Sequence, residues 1–92
     1  MHITENELIT LQRADAIRGV HIKGTDAGFC VNFEVGAQTA TLMTSRNEVR
    51  YWGQLNRLAN WLKERNLPHA RLDMCSWNAE TAAARHLKNP NA

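Results

Sequence analysis

The chain has little cysteine, no long apolar run and no glycine-rich phosphate motif. Its two cysteines, Cys30 and Cys75, do not form a CxxC pair, so the sequence predicts free, mostly buried thiols rather than a disulfide framework. No apolar stretch approaches the roughly 20 residues that cross a bilayer, and the first residues lack the basic and apolar regions of a secretion signal. We therefore expect a cytoplasmic protein with no membrane partner.

Residue patterns that carry chemistry are equally scarce. The five glycines lie at predicted turns and form no nucleotide-binding motif. No pair among the histidines and cysteines has the spacing of zinc ligands, so we predict neither a metal nor a cofactor. One arrangement for nucleophilic catalysis is left, in which His21, Cys30 and Glu34 share one face of a sheet. Chance placement explains it better, and we predict no catalytic residue and no enzyme.

The composition is that of an ordinary globular protein. The chain has 92 residues, of which 43% are hydrophobic and 22% are charged. A chain this short buries too little surface to divide its core. Residues 1–92 are therefore predicted to form a single α+β domain.

Alternating apolar residues predict an antiparallel meander of three strands. Val20 and Ile22 alternate before the 24–28 turn, and four apolar side chains alternate from Phe29 to Val35. A second turn at 36–38 leads into the third strand. The predicted opposed pairs are Val20 with Phe33, Ile22 with Val31, Val35 with Ala40 and Phe33 with Leu42.

One amphipathic helix is predicted to cover the apolar side of this meander. Within residues 54–66, an i, i+3, i+4, i+7 stripe is formed by Leu55, Leu58, Ala59 and Leu62. Pro68 ends the helix, and residues 70–74 alternate as a further half-buried strand would. The predicted order of the core elements is β-β-β-α-β.

The two ends are less determined by pattern. Thr4 and Glu7 have the spacing of a capping box, which favours a short helix, whereas Ile9-Thr10-Leu11 favours a strand. Both alternatives stay open for residues 4–13. At the other end Asn78 can cap a helix over residues 79–87. Residues 78–92 are thus predicted to be a short C-terminal helix with a frayed tail.

The middle of the chain is its basic region. Residues 44–72 contain six basic and two acidic side chains. Arg46, Arg50 and Arg57 are predicted to converge near Trp52, and these four are the tentative binding residues. Arginine with aromatic rings suits phosphates and bases, so one hypothesis is a small nucleic-acid-binding module. The alternative is a solvated face of charged side chains.

A family resemblance runs through residues 14–77. It consists of the hairpin after Ala16-Ile17-Arg18, the arginine–aromatic lead-in Arg50-Tyr51-Trp52, and the helix with Leu58-Ala59 and Trp61-Leu62. In these features the chain resembles the plasmid ParC-like proteins, which are partition-associated and unrelated to the topoisomerase subunit of that name. The resemblance implies a non-enzymatic accessory protein of a plasmid or other mobile element that acts by binding. It carries over no site residue.

The expected partner is a protein. An inhibitor of a host defence complex, similar in action to an anti-CRISPR protein, is the alternative within the same class. A homodimer is also predicted, because a short chain with an exposed sheet edge can pair with a copy of itself.

Overall fold

The computed structural model describes residues 1–77, which form a five-stranded sheet and two helices. The C-terminal helix predicted within residues 78–92 lies outside the described residues. The strand order across the sheet is β1-β4-β3-β2-β5. The elements are β1 (His2–Ile3), α1 (Glu5–Arg13), β2 (Ile17–Thr25), β3 (Gly28–Val35), β4 (Gln38–Leu42), α2 (Leu55–Glu64) and β5 (Arg71–Asp73). The α+β class is confirmed, and β2, β3, β4, α2 and β5 are the predicted β-β-β-α-β series.

The hairpin of β2 and β3 has the predicted register, with Val20 opposite Phe33 and Ile22 opposite Val31. A slip of one residue would move all of these side chains to the other face, so burial of one face determines the register. Gly28 begins β3 with a φ of +118°. A Cβ there would come within 2.5 Å of a backbone carbonyl oxygen of the 52–53 segment, so this close approach requires glycine.

The predicted register between β3 and β4 is wrong by two residues. The observed pairs are Val35 with Gln38 and Phe33 with Ala40. The reason is the turn, which uses residues 36–37 alone rather than 36–38. Gly36 adopts a φ of +61°, which glycine tolerates and which suits a two-residue hairpin loop. Because the shift is even, the same side chains still face the core.

Parallel strands form the two edges, so the whole sheet is mixed rather than antiparallel. β1 pairs with β4, and its two residues are too few to show a strand pattern in the sequence. β5 pairs with β2. The strand at β5 was predicted to be half-buried, but all three of its residues are exposed. As the end strand, β5 has a neighbouring strand on one side only within the described part of the chain.

Residues 5–13 form a helix, which decides the alternative left open by the sequence. Thr4 Oγ1 accepts a hydrogen bond from the Glu7 backbone amide at 3.4 Å, and Glu7 Oε1 accepts one from the Thr4 amide at 3.2 Å. This capping box satisfies two donors that the helix start leaves unpaired. Leu8 is fully buried in the core and fastens α1 to the rest of the fold.

Helix α2 packs on the sheet as predicted, except at one position. Leu58 and Leu62 are buried, and Leu55 is half-buried against the same core. Ala59, predicted to lie in the stripe, is exposed, and Trp61 is buried instead. An indole buries far more apolar surface than a methyl group, so the helix turns toward Trp61. The sheet residues of this core cluster include Val20, Ile22, Val31, Phe33 and Leu42.

The other face of the sheet is polar. Alternation along β2 and β3 places His21 and Lys23 opposite Asn32 and Cys30, with Glu34 next along β3. We call this side, defined by these five residues, the polar face.

Candidate functional site

Two of the four predicted binding residues, Arg50 and Trp52, lie together. Trp52 exchanges two backbone hydrogen bonds of 2.8 Å with Phe29 of β3. Its ring centre lies 5.2 Å from that of Trp61 on α2. The guanidinium carbon of Arg50 lies 4.6 Å from the Trp52 ring centre and 5.3 Å from that of Trp61. Both distances are within the range of cation–π attraction.

Glu5 of α1 holds this arginine and a second one. Its Oε2 accepts from Arg50 Nη1 at 3.4 Å, and its Oε1 accepts from Arg65 Nε at 3.1 Å. Arg65 in turn lies 4.0 Å above the Trp61 ring centre. Hydrogen bonds from Arg65, with the positive charges of both arginines, lower the pKa of Glu5 from its ordinary value of 4.5. We call Glu5, Arg50, Trp52, Trp61 and Arg65 the arginine–tryptophan cluster.

The other two predicted binding residues lie apart from this cluster's contacts. Arg46 is exposed in the 44–48 turn, where its backbone amide donates to Thr44 Oγ1 at 3.3 Å. Arg57 is exposed on α2. Within residues 1–77, neither side chain forms a hydrogen bond or an ion pair. The structure therefore brings Arg50 and Trp52 together, and it links neither Arg46 nor Arg57 to them by a direct contact.

A hollow of about 560 Å³ lies beside the cluster, between the start of α1 and the turn after β4. Its charged residues are Glu5 and Arg50, which pair with each other. The rest of the lining is hydroxyl, amide and thioether groups of residues 4, 6 and 43–45. Because its charges are satisfied inside the molecule, this hollow offers a partner little unpaired charge.

A second hollow, of about 330 Å³, lies on the polar face where β2, β3 and the segment entering β5 meet. The titratable and charged groups that line it are Arg18, His21, Glu34, His69 and Arg71. We call this group the polar-face cleft.

Three features of the backbone assemble the polar-face cleft. A β-bulge between Ile17 and Gly19 places Arg18 outside the regular pairing. Gly19 leaves room for the Glu34 carboxylate, since an added Cβ would come within 2.9 Å of Glu34 Oε2. Parallel pairing of β5 with β2 places Arg71 beside His21.

The cleft has more positive than negative groups. His21 Nε2 lies 2.7 Å from Glu34 Oε1, so one imidazole and the carboxylate are partners. Arg18, His69 and Arg71 are exposed, and within residues 1–77 their side chains form no hydrogen bond or ion pair. An anionic group can therefore contact these three side chains without first breaking an internal ion pair.

Sequence reasoning anticipated only part of this cleft. Alternation placed His21 and Glu34 on one sheet face, and Arg71 was counted in the basic region. The missing information was the neighbour of β5. A single exposed strand does not specify which strand it joins, and its parallel pairing with β2 is what carries His69 and Arg71 to His21.

The two cysteines differ in exposure. Cys30 is buried as predicted, and burial raises the pKa of its thiol. A raised pKa leaves the thiol protonated near neutral pH, which weakens the suggested use of Cys30 as a nucleophile beside His21. Cys75 was predicted to be mostly buried but is exposed. It follows the short end strand β5, where little of residues 1–77 packs over it.

Comparisons with family models, curated proteins and solved structures found no match to the chain. Among residues 1–77, no three side chains of His, Cys, Asp or Glu lie close enough to hold a metal ion together. None of the helices in this part of the chain has the length and apolar character needed to cross a membrane.

Proposed function

We propose that this chain is a non-enzymatic accessory protein of a plasmid or other mobile element, and that it binds an acidic protein surface in the cytoplasm through the polar-face cleft. The observation that carries the proposal is the grouping of Arg18, His69 and Arg71 around the His21–Glu34 pair. Complementary charge of this kind supports recognition and fast association. The link to mobile elements comes from the resemblance to ParC-like proteins.

The burial and covering of the tryptophan rings favour a protein partner over nucleic acid. Trp61 is buried, and Arg50 and Arg65 lie over the indoles of the arginine–tryptophan cluster. Covered rings cannot act as platforms on which bases stack. The two arginines are also partnered by Glu5, which reduces their availability to phosphates. The polar-face cleft itself has two arginines and one carboxylate, a modest charge for a nucleic-acid track.

Charge reversal at the cleft tests the proposal. We expect Arg18→Glu to weaken partner binding roughly tenfold, because repulsion replaces attraction at the cleft. Arg57→Glu is the matched control, since Arg57 is likewise an exposed arginine but lies on α2. The chain is purified from a host that carries the element, and co-purified proteins and retention of the element are compared among wild type, both variants and a gene deletion.

Wild type and Arg57→Glu should retain the same protein and maintain the element, whereas Arg18→Glu and the deletion should not. Equal behaviour of the two variants would contradict the assignment of the cleft. Binding of bare DNA or RNA that weakens steeply with salt and is lost in Arg18→Glu would instead identify a nucleic-acid partner. Unchanged retention of the element after gene deletion would contradict the accessory role.

A further inference from the structure

Strand β5 is an end strand of the described sheet, and its side chains are exposed. Leu72 is 41% exposed and Met74 is 53% exposed, so two large apolar side chains two positions apart are exposed at this edge. An end strand with apolar side chains presents unpaired backbone donors and acceptors that can pair with another strand. The strand is short, so its own sequence must specify the partner.

The sequence of β5 is complementary to itself in antiparallel pairing. If two copies pair about a two-fold axis at Leu72, then Arg71 of each copy lies opposite Asp73 of the other. Opposite charges facing each other across strands stabilise the pair, and both contacts recur by symmetry. Both side chains lie on the polar face, because Arg71 is in register with His21 and Asp73 with Lys23. Asp73 would then lie between two cations, Lys23 of its own chain and Arg71 of the second copy.

The same register also brings complementary side chains together on the side of the sheet that α2 covers. Leu72 is in register with Ile22 of the core, so the two copies of Leu72 would meet on this side. One residue further along, Met74 of the second copy would lie opposite Ala70. A hollow of about 310 Å³ is present there, lined mainly by apolar side chains that include Ile22, Leu62, Leu67 and Pro68. An exposed methionine is a flexible side chain suited to filling such a hollow.

We infer that the chain forms a homodimer by antiparallel pairing of β5 with β5 of a second copy, with Leu72 on the two-fold axis. Three kinds of contact stabilise this dimer: backbone pairing of the two edges, the two Arg71–Asp73 ion pairs, and insertion of Met74 beside Ala70. The dimer joins two sheets into one and places two polar-face clefts near the same axis. Because Arg71 pairs across the interface, Arg18 and His69 of each cleft are left for the acidic partner. It does not depend on the identity of the acidic partner.

Charge exchange tests this interface. Sedimentation at micromolar concentration should give a dimer for wild type, and Arg71→Asp or Asp73→Arg alone should raise the dimer dissociation constant roughly tenfold or more. Mixing the two single variants should restore a heterodimer, because each acidic strand then faces a basic one. The double variant R71D/D73R should again form a homodimer. A monomeric wild type, or single variants that dimerise like wild type, would overturn the inference.

A cross-link tests the register separately. In a Cys75→Ser background, Leu72→Cys should be joined into a dimer by a short thiol-specific cross-linker, since the two positions 72 meet at the axis. Asn56→Cys, exposed on α2, is the matched control and should remain uncross-linked. Equal cross-linking at both positions would exclude this register. A monomeric wild type that still captures the acidic partner would overturn this inference alone and leave the proposed function standing.

Discussion

A single carboxylate, that of Glu5, joins three parts of the fold. It lies on α1 and accepts hydrogen bonds from Arg50, before α2, and from Arg65, at the end of α2. The two guanidinium groups in turn lie over Trp52 and Trp61. Arg50 and Arg65 thus stabilise the fold. They are half-buried, whereas Arg46 and Arg57 are exposed.

Glu5→Gln should therefore lower the free energy of unfolding at pH 7. We expect about 1 kcal/mol, the upper end for solvent-exposed ion pairs, because one carboxylate serves two arginines. The folded-state pKa of Glu5 is lowered, so its contribution is fully present above its ordinary pKa of 4.5 and disappears as the pH falls through the lower folded value. Urea denaturation of wild type and variant at several pH values measures this difference.

Glu64→Gln is the control for that measurement. Glu64 is a more exposed carboxylate, and it lies 4.0 Å from Arg65 Nη1. Its substitution should change the unfolding free energy by less than about 0.5 kcal/mol. A Glu5→Gln effect that does not shrink toward acid pH would contradict the ionic role of Glu5.

At the scale of residues, the sequence indicated which residue types lie together, but it gave less information about the contacts between distant residues. That Arg50 lies beside Trp52 was expected, since the two are nearly adjacent in the chain. The hydrogen bonds that Glu5 accepts from Arg50 and Arg65 were not predictable, because they join residues 45 and 60 positions apart. In the sequence Glu5 and Arg65 are ordinary charged residues, and a charged residue alone does not specify its partner.

At the level of elements, alternation and capping were reliable where they were strong. The β2–β3 register is as the alternation predicted, and the capped start of α1 is the helical one of the two alternatives that the sequence left open. The β3–β4 register depended on whether the turn takes two or three residues, and Gly36-Ala37-Gln38 allows both. β1 was missed because the pairing of two residues with β4 is decided by tertiary packing. The position of β5 was open for the same reason.

The packing of α2 on the sheet gives a prediction about stability. Leu58 is fully buried against the sheet residues of the core. Leu58→Ala should lower the free energy of unfolding by roughly 2–5 kcal/mol, because it removes buried apolar surface and leaves a cavity. Leu55→Ala, at a half-buried position of the same helix, should cost clearly less. Thermal and chemical denaturation of both variants measure the difference, and equal costs would contradict this packing.

For the whole molecule, the charge distribution looks different once the chain is folded. The basic region of residues 44–72 divides into Arg50 and Arg65 of the arginine–tryptophan cluster, Arg71 at the edge of the sheet, and three exposed side chains, Arg46, Arg57 and Lys63. Arg71 lines the same cleft as Arg18, which comes from the first part of the chain. The count of charge along the sequence therefore indicated a basic stretch around Trp52. In the folded chain, Arg18 and Arg71, whose side chains have no partner within residues 1–77, lie together in the polar-face cleft.

Site-specific photocross-linking in the host tests the central claim, binding of a protein at the polar-face cleft, most directly. A photoreactive phenylalanine analogue replaces His69, which lines the cleft and is exposed, and in a matched chain it replaces Asn56 on α2. Arg18 and Arg71 are retained in both. The account predicts one discrete protein adduct from position 69 and none from position 56. Equal adducts at both positions, or an adduct with nucleic acid alone at position 69, would contradict it.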